Sequence, residues 1–134
     1  MVVEERGHRE FRGRADQVGA ARHFVSAALH VGSPLRDVTR LLVSEAVTNA
    51  VLHSASGDAG GRFTVEYLLS DRRLRVEVRD SGGMGGPRRR VHHLESITGR
   101  GLELFDALSD RWGVDGGPDG RTVWFELDLA GARR

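Results

Sequence analysis

The chain has 134 residues, 39% of them hydrophobic, which fits a single domain over 1–134 that buries roughly two thirds of its unfolded surface. It contains no cysteine and all 20 basic residues are arginine, excluding disulfide scaffolds, thiolate chemistry and the lysine-dependent Walker phosphate loop. A formal net charge of +1, with arginines and acids interspersed, argues against a direct nucleic-acid partner, and no apolar run approaches the ~18 residues of a membrane span.

The chain opens on Met1-Val2-Val3-Glu4-Glu5-Arg6, without the basic-then-apolar pattern of a secretory signal, so a cytoplasmic location is expected. A short extended piece is predicted over His8 to Arg14. A helix follows from about Asp16 to His30, with Ala21, Phe24, Val25, Ala28 and Leu29 at helical spacing. Gly32-Ser33-Pro34 then ends it and starts another, Ser33 as N-cap and Pro34 in the first turn.

This second helix carries the most informative run, Leu41-Leu42-Val43-Ser44-Glu45-Ala46-Val47-Thr48-Asn49-Ala50-Val51-Leu52-His53, which holds the chain's single asparagine. Glu45, Asn49 and His53 recur every four residues and therefore share one face of an otherwise oily rod. An amphipathic helix wetting its polar stripe is the plain explanation. The surrounding Val, Ala and Leu leave little solvent face, however, and asparagine is a poor interior helix former. A carboxylate and an amide oxygen one turn apart suit Mg²⁺, which takes hard oxygen ligands and keeps several waters. His53 reads more simply as a packing histidine, since zinc would need further His or Cys ligands.

Gly57 to Gly61 reads as a loop. Phe63, Val65, Tyr67 and Leu69, then Leu74, Val76 and Val78, alternate with more polar neighbours as two strands of a hairpin joined at Ser70 to Arg73. The second strand runs out at Asp80, followed by Ser81-Gly82-Gly83-Met84-Gly85-Gly86-Pro87. A carboxylate leading into so many glycines either caps a flexible turn or faces a ligand that the backbone must approach closely. Pro87 to Thr98 is polar and irregular, as a lid would be, with Arg88-Arg89-Arg90 read as a solvated basic run. Gly99-Arg100-Gly101 then opens a helix to Leu108 whose first-turn N–H groups could meet phosphate oxygens. Arg111 to Val114 and Thr122 to Leu129 complete the chain as strands, the last one alternating Val123, Phe125, Leu127 and Leu129 against Trp124, Glu126 and Asp128.

In this order of elements the chain resembles the ATPase superfamily shared by DNA gyrase, heat-shock chaperones, histidine kinases and mismatch-repair proteins. Within it, the sequence is most similar to anti-sigma-factor serine kinases of the RsbW/SpoIIAB type. Val43-Ser44-Glu45-Ala46-Val47-Thr48-Asn49-Ala50 with His53 resembles that family's N box; Arg79-Asp80-Ser81-Gly82 and Gly99-Arg100-Gly101-Leu102 resemble its two glycine boxes. The resemblance implies an α+β two-layer sandwich, a mixed and mostly antiparallel sheet covered on one face by helices, the Bergerat ATP-binding fold. It further implies ATP and Mg²⁺ as ligands, with Asn49 on the metal, Glu45 as general base and Asp80 accepting the adenine amino hydrogen. Gly82 would let the base pack close, Gly99, Arg100 and Gly101 would border the phosphates, and Arg22 would face a protein partner. The implied partners are a sigma factor and an anti-sigma factor antagonist that is phosphorylated, with homodimerisation left open. Two positions depart from the pattern: Met84 stands where the first glycine box has glycine, and Arg121 separates Gly120 from Thr122. The alternatives are a non-enzymatic, nucleotide-responsive binding protein on the same fold and the detached ATPase domain of a histidine kinase.

Overall fold

The computed structural model describes residues 3–30, 32–53, 61–80, 100–117 and 120–129. Strand β1 (Val3–Arg12) leads through a 3-10 turn (Ala15–Gln17) into helices α1 (Val18–Ser26) and α2 (Leu35–His53). The hairpin β2 (Arg62–Ser70) and β3 (Arg73–Arg79) follows, then helix α3 (Arg100–Leu108) and strands β4 (Arg111–Gly117) and β5 (Gly120–Asp128).

The strands form one sheet in the order β1-β2-β3-β5-β4, and every pairing among the described residues is antiparallel. The expected α+β architecture is therefore present, without a parallel pair in the described sheet. Alternation decides its two faces. Phe63, Val65 and Tyr67 of β2, Leu74, Val76 and Val78 of β3, and Val123, Phe125 and Leu127 of β5 are buried. They join Ala21 and Val25 of α1, Leu42, Val43, Ala46, Val47, Ala50 and Val51 of α2, and Phe105 of α3 in one core. The helices thus cover a single face, since period-2 strands and period-3.6 helices each expose only one apolar side to the other.

Several boundaries differ from the sequence reading; α1 begins at Val18 after a 3-10 turn instead of near Asp16, and β5 spans Gly120–Asp128 instead of Thr122 to Leu129. β1 begins at Val3 and ends at Arg12, because it pairs with β2 along its length from Val3 opposite Ser70 to Arg12 opposite Arg62. Its core anchor is Phe11, which stacks on Phe63 with centroids 5.2 Å apart and meets the edge of Phe24 at 6.0 Å. Gly7 is required beside it: a Cβ there would lie 2.2 Å from the Tyr67 ring, whose hydroxyl donates to Glu5 at 2.5 Å. α1 stops at Ser26, and the Ala28 and Leu29 amides turn to the carbonyls of Val25 and Ser26, so Leu29 is buried from a turn outside the helix. β4 runs on to Gly117, since Asp115, Gly116 and Gly117 still pair with Thr122, Arg121 and Gly120, and residue 116 must be glycine because its φ is +107° and a Cβ would sit 2.2 Å from the Gly120 carbonyl oxygen.

The start of α2 is as expected. Ser33 Oγ accepts from the Leu35 amide at 3.2 Å, satisfying one of the orphan first-turn N–H groups. α3 is closed at its far end by Ser109, whose amide and hydroxyl both donate to the Phe105 carbonyl at 3.0 and 2.5 Å.

Candidate functional site

α2 presents a clear stripe. Leu42, Val43, Ala46, Val47, Ala50 and Val51 are buried, whereas Ser44, Glu45, Thr48 and Asn49 are half-buried and Leu41 and Leu52 are exposed. At 100° per residue, Leu41, Glu45, Thr48, Asn49 and Leu52 fall within about a quarter of the helix circumference. Glu45 and Asn49 therefore stand on one partly open face, flanked along the helix by Leu41 and Leu52. α2 packs on β2, β3 and α3, so this face belongs to the helix that links the sheet to the other candidate elements. The His53 side chain lies outside the described residues, as do Gly82, Gly99 and the expected lid.

Asp80 directly follows β3 and continues the inward series of Leu74, Val76 and Val78. Its amide donates to the Arg121 carbonyl at 2.9 Å, carrying the β3–β5 pairing one step beyond Arg79 opposite Thr122. The Asp80 carboxylate is buried and meets Arg121 twice over. Oδ1 accepts from the Arg121 amide at 3.2 Å; Oδ2 accepts from Nε at 3.1 Å and lies 3.0 Å from Nη2. Burial lowers the Arg121 pKa and the Asp80 charge and hydrogen bond raise it, leaving it below the ordinary arginine value.

Arg121 was visible in the sequence only as a departure from a family pattern. The available signal was alternation: Arg121 precedes Val123, Phe125 and Leu127 at strand spacing and therefore points inward with them. A charge at an inward strand position requires a partner, and Asp80 is the inward residue at the neighbouring strand's end.

α3 opens at Arg100 with Gly101 second, so the backbone of both stands in the first turn, where amides lack intrahelical partners. Their side-chain surroundings lie outside the described residues. Arg22 sits half-buried on α1, and its Nη1 donates to Ser44 Oγ at 3.0 Å while that hydroxyl donates to the Arg40 carbonyl at 2.8 Å. Arg22 thus touches the residue next to Glu45 from outside the stripe.

For a metal, the described residues hold no group of three or more His, Cys, Asp or Glu side chains placed to share an ion. An ion held by one amide oxygen together with substrate oxygens and water needs no such group, and Asn49 on a half-open face offers that kind of oxygen. No helix among the described residues is long and apolar enough to cross a membrane.

The sequence family of the histidine kinase-like ATPase domain matches residues 11–127. Serine-protein kinase RsbW of Listeria monocytogenes is 46% identical over 43 residues, 32% of this chain and 27% of that protein. Anti-sigma F factor of Geobacillus stearothermophilus is 32% identical over 78 residues, 56% of this chain and 53% of that protein, and the Shouchella clausii protein of the same name is 35% identical over 75 residues, 54% and 51%. The aligned stretches span from about a quarter to about half the length of these relatives.

Proposed function

The chain belongs to the histidine kinase-like ATPase domain family, an ATP-binding fold, and from that premise we propose that it is a serine/threonine protein kinase of the anti-sigma factor type. In this reading it captures a sigma factor and transfers the γ-phosphoryl group of ATP to a serine or threonine of an anti-sigma factor antagonist. The names of its relatives support both halves of the reading. The observation that carries it is the α2 stripe: a carboxylate and a carboxamide one turn apart, held half-open on a helix whose other side is fully committed to the core.

The chemistry follows from those groups. Glu45 accepts the proton of the incoming hydroxyl as its oxygen bonds to the γ-phosphorus and ADP leaves, a general-base role that contributes roughly 10²–10⁴-fold. Asn49 would hold Mg²⁺, which neutralises phosphate charge during transfer. Asp80 would accept the adenine amino hydrogen, with Gly82 leaving room for the base. Gly99, Arg100 and Gly101 would border the phosphates at the start of α3, where first-turn amides point outward. In a chain without lysine, backbone N–H groups and arginine take over the cationic role usually given to lysine.

A second reading is a nucleotide-responsive binding protein on the same fold without turnover, in which Glu45 does not act as a base. Incubation with γ-labelled ATP, Mg²⁺ and antagonist proteins encoded near this gene separates the two. Label on a partner serine or threonine, lost roughly 10²–10⁴-fold in Glu45→Ala while ATP affinity stays within a few-fold, is the expected result. ATP binding with no transfer to any antagonist would select the second reading.

A further inference from the structure

We propose that Arg121 is a built-in competitor for the nucleotide base, occupying Asp80 until a purine displaces it and thereby setting nucleotide affinity. The inference rests on the reading that Asp80 receives the adenine amino group. Its observations are the two side chains themselves: Arg121 is 5% and Asp80 2% exposed, with Nε and Nη2 at 3.1 and 3.0 Å from the same carboxylate oxygen. An adenine amino group would need a lone pair of that carboxylate. It would donate as a neutral group where a guanidinium already donates as a cation, and charge-assisted bonds are roughly twice as strong as neutral ones. Because Oδ2 already faces two guanidinium nitrogens, a base donating to that oxygen competes with Arg121 for its lone pairs.

A purely structural role for the pair is the competing explanation, and the backbone weighs against it. β3 and β5 are already joined through Arg79 opposite Thr122, and the Asp80 amide reaches the Arg121 carbonyl without any side chain. Burying two charges carries a desolvation cost that their attraction must first repay, so a buried ion pair is weak evidence of a fastener. Its lowered pKa shows the desolvation that Arg121 bears. In a competition, apparent affinity equals intrinsic affinity multiplied by the fraction of molecules with Asp80 released, so removing the competitor strengthens binding. Loss of a fastener would weaken it.

The test is calorimetry with Mg-ATP on the full chain. Arg121→Thr, which removes the guanidinium and leaves Asp80 its acceptor oxygens, is expected to bind on the order of tenfold tighter or more. Arg121→Lys keeps a cation beside Asp80 without the two-nitrogen contact and should fall between the parent and Arg121→Thr. Adding Asp80→Asn to Arg121→Thr should reverse the gain. If Arg121→Thr binds no more tightly, yet Asp80→Asn still weakens binding in that background, competition is overturned and the base-recognition reading survives. If Asp80→Asn changes nothing there, that reading falls and the proposal falls with it. Because a stripped Asp80 endangers folding, the parent chain supplies an independent measurement, the Arg121 Nε–H resonance assigned by its absence in Arg121→Lys. Saturating ATP should shift it and speed its exchange with water, and an unmoved, protected signal overturns the proposal.

Discussion

Strand β5 takes part in two acid–arginine clusters on opposite faces of the sheet, and they solve the same electrostatic problem differently. On the face away from the helices, Glu126 accepts from Arg111 at 2.6 Å, Arg75 at 2.9 Å and Arg73 at 3.3 Å. Arg111 reaches on to Asp128, and Arg75 to Glu77 at 2.9 Å. These arginines keep a quarter or more of their side-chain surface in water, and the Arg75 guanidinium also covers the Trp124 ring at 4.4 Å. On the helix-side face, Asp80 meets the guanidinium of Arg121 in a dry setting. The many-partnered wet cluster crosses β3, β5 and β4 and spreads each charge over several donors, which makes it a strand-registering device. The dry pair at a strand end concentrates its charge on one contact at a larger desolvation cost. Under the proposed function the two clusters divide the labour, the outer-face one answering to stability and the Asp80–Arg121 pair to ligand.

The largest effect that sharpens this division is expected at Asn49. Asn49→Ala should weaken Mg-ATP binding by tenfold or more, an order-of-magnitude figure for one lost hard-oxygen ligand, while metal-free ATP loses little. Its thermal midpoint should hardly move, because the side chain is half-open and the buried side of α2 is untouched. Calorimetry with and without Mg²⁺ checks both parts. Equal losses in the two titrations would move Asn49 out of the metal's reach and break the division on the ligand side.

Glu126 tests the other side. Glu126→Gln leaves three arginines without their shared carboxylate and should cost about 1–2 kcal/mol of stability, discounted for the exposure of the arginines, with Mg-ATP affinity unchanged. Burial alone would raise the Glu126 pKa, but hydrogen bonds from Arg111 and Arg75 outweigh it and hold the group below the ordinary carboxylate value. A depressed folded pKa gives stability that is complete above the unfolded value near 4.5 and fades as pH falls through the lower folded one. Urea unfolding at neutral pH and below pH 4 should thus show the parent and Glu126→Gln converging in acid. A constant gap between them would deny the carboxylate its charge-dependent role.

The legible parts of this molecule are those set by local period or local chemistry. The β2–β3 hairpin announces itself by alternation, the start of α2 by Ser33 and Pro34, and the Glu45–Asn49 stripe by a four-residue step across an apolar run. β1 is longer than its local pattern suggests because Arg6, His8, Arg9 and Glu10 give an edge strand no apolar alternation to read; its extent is imposed by β2, some sixty residues away in sequence. The end of α1 is hidden for the opposite reason, since Leu29 keeps helical spacing while the backbone has already turned. Asp80 was readable as a strand-end carboxylate, yet its engagement depends on a residue 41 positions away. No local pattern encodes a contact of that range, although inward alternation marks Arg121 as needing one.

Arg22 lies at the border between the two neighbourhoods. The family resemblance assigns it to a protein interface, and in the fold it spends one donor inside the chain, on Ser44, the residue before Glu45. Ser44 keeps its own bond to the Arg40 carbonyl when Arg22 is removed, so no buried group is stranded and Arg22→Ala should cost no more than about 0.5–1.5 kcal/mol of stability. Only one guanidinium nitrogen is used in that bond, and arginine retains further donors in a fixed fork for a partner. Capture of a sigma factor in a pull-down should therefore fall, with the 2 kcal/mol or so of an anchoring arginine as the scale, while Mg-ATP affinity stays within about twofold. Arg22→Lys should recover little of the capture, because a point charge does not reproduce the fork. Intact capture with weakened ATP binding would place Arg22 on the ligand side, acting through Ser44 on the α2 stripe, and would redraw the border at α1.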